Sequence, residues 1–164
     1  MNKTVLKAFG IAGVVFASAS PAFAQTSATG DASVEILNAI TVTKSSDLYF
    51  GKVLASGSAA TVEIAENGNR TCGTGLSCYD TATAGGFNVT GSDGETVTVA
   101  IDNPSISLSD GQGNSMNVSL STSTSTLTLA GGSGSFNIAG TLSVGASQAP
   151  GDYSGQYSVS VDYQ

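Results

Sequence analysis

From Gln25 onward the chain alternates apolar and polar residues with a period of two. Phe87 and Val89 share a face in GGFNVTG, as do Val97, Val99 and Ile101 in ETVTVAI. Ile106 with Leu108, then Met116, Val118 and Leu120, then Leu127 with Leu129, and Leu142 with Val144 continue the pattern. The last run, YSGQYSVSVDY, places Tyr153, Tyr157, Val159, Val161 and Tyr163 on one side. Successive strand residues point to opposite faces, so this period predicts strands with one buried face. Turn signals separate the runs: Ser92-Asp93-Gly94, Asp102-Asn103-Pro104, Asp110-Gly111, Gly131-Gly132 and Pro150-Gly151-Asp152. No window beyond residue 24 carries a sustained 3.6-residue stripe, so no significant helix is expected there. Short strands at this spacing predict an all-β sandwich or barrel.

The outward positions are mostly Ser, Thr and Asn. One reading of SLSTSTSTLTL is a mucin-like stalk. Leu120, Leu127 and Leu129 interrupt its polar run with core-type residues, which favours strands.

The first alternating run, SVEILNAITVT (Ser33 to Thr43), raises a separate question. It follows a loose polar lead, QTSATGD, and carries Val34, Ile36, Ile40 and Val42 on even positions. The run either folds back as the first strand of its own sandwich or adds to another molecule. In the first case ITVTKSSDLYFGKV reads as two strands around a Lys44-Ser45-Ser46 turn. Both pairings bury the same residues. The second is the expectation here, because the even face is too apolar for a free tail and the body starts afresh at DLYFG.

Residues 1–24 have the layout of an export signal. Lys3 and Lys7 give the positive region, AFGIAGVVFASA the apolar core, and Ala22-Phe23-Ala24 the cleavage site. The apolar run is too short to span a bilayer as a helix. The expected division is therefore a signal at 1–24, an N-terminal extension at 25–43 and one sandwich domain at 44–164. The product is expected to pass through the periplasm to the cell surface or the medium.

Beyond the signal, three basic side chains stand against twelve acidic ones, a net charge of −9. Such a chain is a poor partner for nucleic acid or anionic membranes, and no membrane insertion is expected. Cys72 and Cys78 in CGTGLSC read as one disulfide in an exported protein. A zinc site would need further ligands, and the chain has no His and no second Cys pair.

The absence of His also removes Ser-His-Asp and Cys-His catalysis. The pairs Glu63/Glu66 and Asp93/Glu95 supply two carboxylates each, as glycoside hydrolysis requires, but both flank turns. In LSDGQGNSM, Asp110 and Asn114 sit in a calcium-loop-like stretch without its series of acids or its terminal Glu. Tyr49 and Tyr79 are the aromatics most open to exposure. No catalytic, cofactor-binding or metal-binding residue and no enzymatic activity is expected.

Two stretches carry a family likeness: DLYFGKV at Asp47 to Val53, after the arm, and the ending APGDYSGQYSVSVDYQ. Together with the glycine-punctuated body they resemble small exported proteobacterial proteins that share a D-L-x-F-G motif. The order is also similar to spore-coat-U-like subunits of archaic chaperone–usher pili. Those subunits usually place a Cys early in the body, where SSDLYFGKV has none. The likeness implies an immunoglobulin-like, pilin-like sandwich with a donor-strand arm, serving as a structural subunit of a surface fibre. It implies copies of itself or related subunits as head-to-tail partners, with a periplasmic chaperone and an outer-membrane usher. Val34, Ile36, Ile40 and Val42 would be the donor-strand plugs. Gly151, Tyr153, Tyr157, Val159, Val161 and Tyr163 would form a C-terminal strand facing the chaperone or the groove. A self-complete coat or adhesive sandwich, or a ligand-binding module, is the alternative.

Overall fold

Alternating β-branched and polar residues fit a pleated, half-buried surface, and the chain forms strands wherever that alternation is sustained. The computed structural model describes residues 25–164; the expected signal, 1–24, lies outside the described residues. Among them there is no helix. The strands are β1 (Thr41–Ser46), β2 (Lys52–Leu54), β3 (Ala60–Ile64), β4 (Arg70–Cys72), β5 (Ser77–Tyr79) and β6 (Gly85–Thr90). There follow β7 (Thr96–Ile101), β8 (Ser105–Ser109), β9 (Ser115–Ser121), β10 (Thr126–Thr128), β11 (Ser133–Val144) and β12 (Val159–Tyr163). Residues 25–34 carry no strand, and their side chains are exposed.

All pairings are antiparallel. One sheet runs β1-β6-β11-β3-β4, with β9 also on β11 and β8 on β9; a second runs β10-β7-β12; β2 and β5 make a ribbon. The result is a β-sandwich, one of the two architectures the alternation predicted and the one the family likeness implies. Val62, Ile64, Val89, Val118 and Ile138 from the large sheet meet Val97 of β7 and Leu129 beside β10, all fully buried. Each such side chain contributes roughly 1.5–3 kcal/mol by leaving water. The turn signals hold as well. Gly131 and Gly132 both have positive φ (64° and 72°), as a two-residue hairpin loop between strands of native twist requires.

β11 organises the large sheet. Its inner positions are Phe136, Ile138, Leu142 and Val144, all buried, together with Gly134 and Gly140. The two glycines leave dents filled from elsewhere. A Cβ on Gly134 would stand 2.8 Å from Leu127 Cδ2, and one on Gly140 would stand 2.7 Å from Leu48 Cδ2 and 3.1 Å from Phe50 Cζ.

One expectation needs correcting, and so does one detail of its alternative. The extension was expected to reach Thr43, but β1 begins at Thr41 and pairs within its own chain. Thr41 lies opposite Thr90, Val42 opposite Val89 and Thr43 opposite Asn88. The physical reason is that β6 presents an open edge beside Val89, and Val42 gains a half-buried place on it without leaving the molecule. Lys44-Ser45-Ser46 is then not a turn. It belongs to β1, where a bulge lies between Lys44 and Ser46 and the Ser45 and Ser46 hydroxyls fill the space above Gly86.

Candidate functional groove

Cross-strand registry lines up Ile106, Val118, Leu142, Val62 and Cys72 across β8, β9, β11, β3 and β4. A groove of about 830 Å³ lies at the β8 end of this row, lined by Ile106, Leu108, Met116, Val118, Leu142 and Val144 from the sheet. The rest of its lining comes from two segments, 47–55 and 148–157.

Each segment is hydrogen-bonded on one side to its own body. Tyr49 and Thr83 exchange both backbone hydrogen bonds at 2.9 Å, and β2 pairs with β5. Ser154 and Ser109 likewise exchange both, at 2.9 and 3.0 Å. Among the described residues no backbone hydrogen bond joins 47–55 to 148–157. One end of the groove is closed by the Ser147 N–H, which donates to the Ser56 carbonyl at 2.8 Å. The groove is therefore bordered by two segments each held from one side, and its sheet-side lining is apolar.

The D-L-x-F-G motif builds one border. Leu48 and Phe50 turn inward over Gly140. Arg70 Nη1 donates to the carbonyls of Phe50 and Tyr79, both at 3.0 Å. Gly51 between them has φ 77° and lies against that guanidinium and the Tyr79 carbonyl, so a side chain there meets both strain and a clash. The opposite border holds Tyr157, edge-on to Phe87 at 6.0 Å; Phe87 in turn stacks on Phe136 at 5.4 Å. Burial raises the Tyr157 phenol above its ordinary pKa, and the nearby Asp47 charge adds to the shift. The Tyr153 hydroxyl donates to the Ala149 carbonyl and accepts from Gln148 Nε2, both at 2.9 Å.

The candidate C-terminal residues divide into two groups. Gly151, Tyr153 and Tyr157 line the groove. Val159, Val161 and Tyr163 do not; they lie on β12, paired with β7, and pack against the sandwich core. The candidate plugs divide too. Val34 and Ile36 are 86% and 88% exposed, whereas Ile40 packs partly on the core and Val42 sits in β1. Residues that sequence reasoning missed are the sheet-side lining's partner segment, 148–150, and Leu48 and Phe50 as groove formers. The motif itself was the signal for the latter pair.

The remaining candidates are occupied in turns or at the surface. Cys72 and Cys78 form a disulfide that ties β4 to β5. Glu66 accepts from the Ser123 backbone N–H and from its hydroxyl, and Asp93 Oδ1 accepts from the Gly131 and Gly132 N–H groups. Asp110 accepts from the Asn114 side chain and from the Gln112 and Asn114 N–H groups, which lowers its pKa and closes its own loop. Among the described residues no cluster of three or more metal-ligating side chains occurs. Tyr49 and Tyr79 are exposed beside an ion pair of Lys52 with Asp80 at 3.1 Å, which raises the lysine pKa and lowers that of the aspartate.

Residues 40–163 match the family described as Domain of unknown function (DUF4402), and the chain belongs to that family. The matched span leaves Val34 and Ile36 outside it. No curated protein and no solved structure gives a significant match.

Proposed function

We propose that this family member is a structural subunit of a surface fibre, joined head to tail when the N-terminal arm of one copy enters the groove of the next. The observation that carries the proposal is the apolar groove, bordered by two segments that are each hydrogen-bonded to the body on one side, in a chain whose two alternate apolar arm residues are almost fully exposed. An extended peptide adds to such a border through main-chain hydrogen bonds, and its alternate side chains enter the groove. Arm and groove are different patches, so the contact need not close and generates a fibre. The arm that does this is shorter than its alternation suggests. It ends before Asn38, and its plugs are Val34 and Ile36. Two plugs contribute about 3–6 kcal/mol of burial before the costs of association are subtracted.

Export is part of the same proposal. It is supported by the pattern of residues 1–24 and by a disulfide, a bond that persists in oxidising compartments. A periplasmic chaperone and an outer-membrane usher would then handle the subunit, covering its groove until assembly. The similarity of its ending to spore-coat-U-like subunits supports that step. The cis pairing of β1 favours the second reading, a self-complete coat or adhesive sandwich. The two readings differ in what fills the groove.

The test is light scattering on the exported full-length product and on a version lacking residues 25–37, which leaves β1 intact. Concentration-dependent multimers are expected from the first. A folded monomer with an unchanged melt is expected from the second. The shortened protein should take up the peptide DASVEILNAI, and Ile36→Asp in that peptide should abolish uptake, because a carboxylate would enter an apolar groove. A full-length protein that stays monomeric at every concentration, with a groove that refuses the peptide, refutes the proposal.

A further inference from the structure

Resting on the donor-strand reading above, the geometry points to a built-in bar against self-filling: the root of the arm is pinned too far from its own groove for the plugs to reach. Three hydrogen bonds make the pin. The Asn38 N–H donates to Ser92 Oγ at 2.7 Å, and the Asn38 carbonyl accepts the Tyr163 hydroxyl proton at 2.7 Å. The same hydroxyl accepts the Ser92 N–H at 2.7 Å. Tyr163 lies over Gly91, whose N–H bonds the Gly132 carbonyl at 3.0 Å, so the pin sits where β6 ends and β11 begins.

From this point β1 runs toward the groove. Thr41 stands opposite Thr90 and Ser46 opposite Gly86, and only then does the chain reach Asp47 and Leu48, the first groove residues. A six-residue strand spans about 20 Å, and Asn38 to Leu48 about 25–30 Å. Ile36 is two residues from the pin and Val34 four, so they extend at most about 7 and 14 Å from it. Both fall short of even the near end of their own groove. A second copy's groove has no such tether. Asn38, Ser92 and Tyr163 are thus positioning residues that select a trans partner, and the spacer between Ile36 and Asn38 is the specificity determinant.

The experiment lengthens the spacer. About twenty Gly/Ser residues inserted between Leu37 and Asn38 have an r.m.s. span of about 25 Å, enough for the plugs to reach the cis groove. A short flexible tether gives a millimolar effective concentration. At about 10 μM protein the cis site is then favoured about 100-fold. The full-length insertion variant should be a folded monomer whose groove refuses the peptide DASVEILNAI, while the unmodified chain multimerises. The same insertion with Ile36→Asp should be a monomer whose groove accepts the peptide, which separates a filled groove from a damaged one. Tyr163→Phe alone frees at most three more residues, about 10 Å. It should stay multimeric while amide exchange at residues 38–40 speeds up; unchanged exchange refutes the pin. An insertion variant as multimeric as the unmodified chain overturns this inference and leaves the donor-strand reading intact. An unmodified chain that is strictly monomeric, with a groove closed to the peptide, overturns the reading itself.

Discussion

Gly140→Ala tests how the groove border is seated. The added Cβ would stand 2.7 Å from Leu48 Cδ2 and 3.1 Å from Phe50 Cζ, against about 3.5–4.0 Å for relaxed carbon contact. Leu48 must therefore retreat by about 1 Å, toward the groove it lines. Overpacking of this kind costs about 1–3 kcal/mol. Replacing a strand glycine by alanine returns about 0.5–1 kcal/mol of backbone entropy. The net expectation is a loss of about 1–2 kcal/mol. In urea melts, with a slope of about 2 kcal/mol per M, the midpoint should fall by about 0.5–1 M. Gly57→Ala is the control, since a Cβ there meets nothing within 4 Å; its midpoint should hold or rise slightly. In a Leu48→Ala background most of the penalty should disappear, with only the Phe50 contact left, giving a coupling energy of about 1 kcal/mol. A Gly140→Ala protein as stable as the parent, or strictly additive effects in the double mutant, would refute the packing of Leu48 over β11.

Two further predictions follow from the body. Cys72→Ser opens a loop with a sequence separation of 6 between its cysteines. Chain entropy for so short a loop gives about 2 kcal/mol. The melting temperature should fall by roughly 6–10 °C with the strand content unchanged in circular dichroism. Val161→Asp sets a carboxylate on the core-facing side of β12, opposite Val99, and should cost roughly 2–4 kcal/mol in the same melts. Ser158→Asp, at an exposed position, should stay within about 0.5 kcal/mol. Ser160→Asp should fall between them, because Ser160 is half-buried and its hydroxyl donates to Asp102. Equal losses at 158 and 161 would show that the β12 register is wrong.

The strands and their faces were largely legible in the sequence because the period of two survives wherever inner positions hold large apolar residues. It failed in β11. Leu142 and Val144 were read as a strand face, but Phe136 and Ile138 were not joined to them. Gly134 and Gly140 occupy inner positions of the same strand, so the alternation breaks although the backbone stays extended. The apolar volume is present but is delivered by Leu127, Leu48 and Phe50 from other elements. The same limit applied to the arm. Val42 was read as a plug for another molecule; alternation cannot show that β6 offers an edge in cis. The groove was legible only at its C-terminal border, through Gly151, Tyr153 and Tyr157. Its sheet-side residues alternate like any other strand face, and the period alone does not mark them as a groove lining.

The D-L-x-F-G motif has a structural account that needs no chemistry. Leu48 and Phe50 dock over Gly140 and hold segment 47–55 on the sheet. Gly51 supplies the positive φ that lets the chain turn from this docked stretch into β2 while the Arg70 guanidinium passes beside it. Arg70 opens β4 and Cys72 ends it, bonded to Cys78 of β5, so the motif, the charged tie and the disulfide converge on one border of the groove. A border fixed in three ways presents its edge in one position. Under the proposed head-to-tail assembly, an incoming strand would meet a preorganised edge and lose less free energy to ordering it. On that proposal the motif would serve assembly by holding the acceptor rigid, while partner selection would rest elsewhere, on Val34, Ile36 and the pin at Asn38.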